Sequence, residues 1–113
     1  MSKPLKPVAE RFGIPPAERS PANRTNATGS CPDILLVNDA TRLKLEGTPG
    51  LREGQVFLAI GTLVTKEQFA SVDVPEGASV AGYEAVIALP PEVVLAAARQ
   101  LMAQEFALEA ERI

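Results

Sequence analysis

The tightest constraint on this chain is the Pro90-Pro91 pair, because the hydrophobic period changes across it. Before it, Tyr83 to Leu89 reads YEAVIAL, a run that places Tyr83, Ala85, Ile87 and Leu89 on one face when extended. Proline has no amide hydrogen for a sheet ladder, so the run stops there. The same property suits proline to the first turn of a helix, where that hydrogen has no intrahelical acceptor. Glu92 then carries the charge sign that a helix N-terminus favours. Val94, Leu95, Ala98, Leu101 and Met102 recur at three and four residues, which predicts a helix from Pro91 to Arg112. On a helical wheel Val94, Ala98 and Leu101 share the expected core face, but Glu105 and Glu109 fall there too, so the apolar stripe breaks after Met102. At a rise of about 1.5 Å per residue the helix is roughly 33 Å long, and its acidic last turns are expected to project or fray.

Upstream, Asp33 to Val37 reads as a short apolar strand and Asn38-Asp39 as a turn pair. In Thr41 to Glu46, Leu43 and Leu45 alternate with charged residues, so the two runs are expected to form a hairpin. Gly47 to Gly54 holds three glycines and Pro49, hence a loop. Gln55 to Ile60 is a further strand, ended by Gly61. Thr65 and Gln68 have capping-box spacing, which predicts a short helix through about Ala70. Ser71 to Val80, with Pro75 and Gly77, is a connector. The expected architecture is α+β: a small, mostly antiparallel sheet of a hairpin and two or more strands, one short helix, one long C-terminal helix and an extended N-terminal arm.

The arm is residues 1–30, and residues 31–113 are the expected small α+β domain. Half of the ten prolines fall in the arm, where apolar residues follow no period. Its five basic residues against Glu10 and Glu18 leave +3, so the remainder holds −6 of the overall −3. The arm is therefore the expected partner-binding segment, with Lys3, Lys6, Arg11, Arg19 and Arg24 as its charges and Phe12 and Ile14 as either an apolar anchor that docks in a groove or simply an exposed pair.

Composition narrows the chemistry. The absence of histidine removes His-based nucleophile activation and the commonest metal ligand. The lone cysteine, Cys31, has no disulfide partner in the chain and an acidic neighbour at Asp33, which opposes thiolate formation, so an incidental thiol is expected. No Walker loop and no spaced carboxylate cage is present. Hence no catalytic, metal-binding or cofactor-binding residue is assigned and no cofactor is expected. No run approaches the roughly 18 apolar residues of a membrane helix and no signal-peptide core precedes the arm, so a cytoplasmic location without a membrane partner is expected. The triplets at Asn23 and Asn26 match glycosylation sequons, read here as coincidence. A mildly basic arm on an acidic body is a weak footprint for nucleic acid, which is not the expected partner.

Three stretches carry a resemblance: CPDIL at Cys31 to Leu35, FLAIGT at Phe57 to Thr62 with Thr65 after it, and the VPEGASV…YEAVIALPPEVVLAAA run from Val74 to Ala98. From Cys31 onward the chain thereby resembles small uncharacterised actinobacterial proteins. That resemblance brings no known activity, so no site is transferred by it. The expected function is non-catalytic: a protein-interaction or assembly module in a homo- or hetero-oligomeric complex or particle. Virion components such as capsid decoration or head-tail proteins share this layout. The alternatives are a small cytoplasmic regulator that binds a transcription factor or nucleic acid, and an enzyme using Cys31.

Overall fold

The aliphatic run Asp33–Val37 is the strand on which the rest is laid. In the computed structural model, residues 8–23 and 32–112 are described, the side chains of 106–112 excepted. The described elements run β1 (Ala9–Arg11), β2 (Asp33–Val37), β3 (Val56–Ile60), β4 (Thr62–Val64), α1 (Lys66–Ala70), β5 (Val86–Ala88) and α2 (Pro91–Arg112), with short 3-10 turns between them. β2 lies between β1 and β3, antiparallel to both, and β4 pairs with β5 in a separate two-stranded sheet. The architecture is α+β, with small antiparallel sheets, one short helix and one long C-terminal helix.

Side chains of β2 alternate between two packed layers. Ile34 and Leu36 point toward α2, where Phe12, Leu36 and Ala97 form one buried cluster. Val37, on the other face, joins Val56 and Ala40 in a second cluster, with Leu43, Leu45, Leu51 and Leu58 packed around it. The capping box occurs as expected: Thr65 Oγ1 accepts from the Gln68 backbone N–H at 3.1 Å, and the Thr65 N–H donates to Gln68 Oε1 at 2.8 Å.

Three expectations are corrected. The first is the hairpin. Thr41 to Glu46 is not a strand; Ala40–Arg42 is a 3-10 turn, and the neighbours of β2 are β1 and β3. Asp39 accepts hydrogen bonds from the Thr41 N–H at 3.2 Å and the Thr41 hydroxyl at 2.5 Å, which curls the chain before it can extend. Lys44 then takes a positive φ of 53°. Leu43 and Leu45 both reach the Val37 cluster from this curled segment, so their alternation reflects shared burial rather than a pleat.

The second concerns the arm. Its residues 8–23 are not separate from the body, because β1 pairs with β2 along Ala9–Arg11 and the Phe12 N–H donates to the Ile34 carbonyl at 2.8 Å. Asn38 extends the pairing, accepting from the Val8 N–H at 2.9 Å through its side chain. Three residues with exposed side chains give no periodic apolar signal, which is why the strand is silent in the sequence.

The third is the face of α2. The buried residues are Val93 and Ala97, whereas Val94, Leu95, Leu101 and Met102 are exposed. Gly13 sets this register. A Cβ on Gly13 would lie 3.2 Å from the Ala96 side chain and 3.3 Å from the Ala97 nitrogen, so the backbone approaches too closely for anything but small helix residues. The larger aliphatic residues are thereby turned outward.

Gly61 joins the two sheets. It sits between β3 and β4, and a Cβ there would lie 2.5 Å from both the Ala88 carbonyl oxygen and Ile87 Cγ2. Gly61→Ala is therefore expected to destabilise the protein by about 1–3 kcal/mol through overpacking against backbone that has little room to move. Urea denaturation of the variant measures the loss, and an unchanged midpoint would contradict the close approach.

Candidate interaction surface

Of the basic residues in the N-terminal segment, the two that are described, Arg11 and Arg19, both pair with one carboxylate of the body. Asp33 opens β2 with its side chain buried, and Arg11 Nε donates to Asp33 Oδ2 at 2.7 Å. Arg19, only 4% exposed, donates from Nη2 to Asp33 Oδ1 at 3.3 Å and from Nη1 to the Pro32 carbonyl. Its Nε is buried without a hydrogen-bond partner. The Ile34 N–H also donates to Asp33 Oδ1, at 3.1 Å, so the carboxylate ties β1, the 3-10 turn at Pro16–Glu18 and β2 together.

A second carboxylate holds the same segment to α2. Glu92 Oε1 accepts from Asn23 Nδ2 at 2.8 Å, the Ser20 hydroxyl at 3.0 Å and the Ser20 N–H at 3.1 Å. The Asn23 hydrogen bond, followed by those from Ser20 and the Arg19 charge, holds the Glu92 carboxyl below its ordinary value of 4.5 against a smaller opposing effect of desolvation. A carboxyl of lowered pKa stabilises the fold above its unfolded value and loses that contribution as pH falls through the folded one. The stability difference between wild type and Glu92→Gln is thus expected to be full at neutral pH and to vanish as pH falls below about 4.5. Thermal melts between neutral pH and pH 3 measure it. A difference that persists at the acid end would show that Glu92 acts through something other than its charge.

Of the expected partner-binding residues, the structure brings Arg11 and Arg19 together on Asp33 and buries Phe12 at 1% exposure against Leu36 and Ala97. Ile14 is half-buried in a shallow groove beside Leu95, Ala96 and Arg99 of α2. The Gly13 N–H closes this groove, donating to Gln100 Oε1 at 2.7 Å. Lys3, Lys6 and Arg24 lie outside the described residues, as does Cys31. The anchor that Phe12 was expected to supply to a partner is used within this chain.

The surface left open is apolar. Phe57, Ile60, Leu63, Ile87, Val94, Leu95, Leu101 and Met102 are all exposed, with Leu63 at 64% and Met102 at 58%. Leu63 and Ile87 stand opposite each other on the uncovered face of the β4–β5 pair. Val64 and Val86, on its other face, line a groove with Phe69 of α1. Sequence reasoning missed the strand edge among these features. Its signal was present: Gln55 to Thr65 carries no charge and no proline, an unguarded run for an exposed strand. Among the described residues no helix is long and apolar enough to cross a membrane, and no group of three or more Cys, Asp or Glu residues is placed to hold a metal ion. The chain matches no protein-family model, no curated protein and no solved structure at a significant level.

Proposed function

We propose that the protein is a non-catalytic assembly module, an accessory or structural subunit that works by packing against other polypeptide. One observation carries this reading. Among the described residues twelve large apolar side chains are exposed while only five large ones are fully buried, the rest being half-buried. Scattered apolar residues on a surface are ordinary, but grouped ones mark an interaction site. Six of the twelve lie in two places, Val94, Leu95, Leu101 and Met102 on the outward side of α2 and Leu63 with Ile87 on the β4–β5 pair.

The groove-docking arm is replaced in this reading by the body itself, since Phe12, Arg11 and Arg19 are engaged internally. Sedimentation of the chain in an extract of the cells that make it provides the test. It is expected to travel in a particle several times heavier than its own 12.0 kDa. Migration as a free 12.0 kDa chain at all salt concentrations would end the proposal.

A further inference from the structure

We infer that a second copy of this chain pairs along β3, extending the three-stranded sheet across a two-fold axis into six strands. The inference rests on the assembly reading and names the first partner in it. The two edges of the sheet differ in kind. β1, at one edge, is three residues long and carries Glu10 and Arg11, the charged and abbreviated form in which natural sheets end. β3, at the other, is the five-residue run VFLAI without charge, proline or bulge, and it has a neighbour on one side only. An unguarded apolar edge offers its backbone groups to another strand.

The sequence of β3 fits itself. In an antiparallel pair centred on Leu58, Phe57 of each copy stands opposite Ala59 of the other, and Val56 stands opposite Ile60. Large thus meets small on the face toward α2, and no charges are opposed. Both members of the large-small pair are exposed in the single chain, and Phe57 is already braced by the Phe12 ring at 5.1 Å, edge to face.

The helix adds to the same side. Gly13 and Ile14 occupy the flank of α2 that carries Leu95, Ala96 and Arg99, so helical geometry puts Val94 and Leu101 on the opposite flank. Gly13 and Ile14 follow β1 at one edge of the sheet, so the flank that carries Val94 and Leu101 is the one turned away from that edge. A two-fold axis normal to the sheet brings Phe57, Val94 and Leu101 of both chains toward one seam on the face that α2 covers. A specific interface buries at least about 1,000 Å² in total, which the strand edge and this helix flank must supply together.

The purified full chain in sedimentation equilibrium is expected to have twice its 12.0 kDa mass at micromolar concentration. Ala59→Lys places two like charges at diagonal positions across the seam and is expected to raise the dissociation constant about a hundredfold or more. Glu10→Lys, on the opposite edge, is expected to leave the dimer intact. Circular dichroism establishes that the variants are folded, and if Ala59→Lys is not, Leu101→Lys on the helix flank gives the same reading. A monomeric wild type overturns the pairing, as does a dimer that survives both Ala59→Lys and Leu101→Lys or one that only Glu10→Lys dissociates. A chain that is monomeric when purified but travels in a larger particle in extracts overturns the pairing and leaves the assembly reading standing. A monomer in both settings removes both.

Discussion

Phe12→Ala is expected to lower stability by about 3–5 kcal/mol, the usual loss for a large aromatic side chain in a packed interior. Phe12 is 1% exposed and stands among Leu36 of β2, Ala97 of α2 and the ring of Phe57, so three elements lose a shared neighbour at once. The cavity has little prospect of collapse. Ala97 is too small to fill it, and the Gly13 backbone already lies as near α2 as the Ala96 side chain permits. Urea denaturation by circular dichroism provides the measure. A loss below about 1 kcal/mol would mean that residues 8–23 are held loosely and that Phe12 is free to serve elsewhere. The same reasoning applies to removal of residues 2–30. That deletion takes away Phe12, β1 and Arg19, and the remaining body is expected to lose cooperative folding rather than stand alone.

Asp33→Ala is expected to cost about 3–5 kcal/mol, because it strands the buried Arg19 guanidinium without its counter-charge. Arg19 retains the Pro32 carbonyl, but one of its nitrogens is unpaired even in the wild type. Arg11 matters less, since its side chain is 41% exposed and water can replace the carboxylate. Removing both partners provides the discriminating comparison. Arg19→Met combined with Asp33→Leu is expected to restore most of the loss, as paired replacement of a buried ion pair by apolar residues often does. A double variant as unstable as Asp33→Ala would show that the carboxylate acts chiefly by accepting the Arg11 and Ile34 hydrogen bonds.

Where the sequence was legible, one local rule decided the outcome. Pro90-Pro91 ended a strand and began a helix, and Thr65 with Gln68 capped another, because both signals act within a single turn of chain. Where it misled, two solutions satisfied the same pattern. Leu43 and Leu45 alternate as a strand would, yet Asp39 bends the backbone and both leucines still reach the Val37 cluster. On α2 the aliphatic stripe was the stronger pattern, but the close approach of Gly13 demanded the smaller face, and no periodicity reports a contact 83 residues away in sequence. Three residues of the partner-binding set, Arg11, Phe12 and Arg19, are engaged within the chain for a related reason. Arg11, Arg19 and Phe12 read as unattached because Asp33, Leu36 and Ala97, which engage them, lie far along the chain.

The turn of α2 that sets small residues inward divides the helix's circumference into two independent duties. Val93, Ala96 and Ala97 answer to the neighbouring backbone, and any enlargement there is resisted by the chain's own architecture. Val94, Leu95, Leu101 and Met102 are exposed, outside the buried clusters of the described residues. This outer half can drift as a partner drifts, acquiring or shedding affinity while the inner half keeps the fold constant.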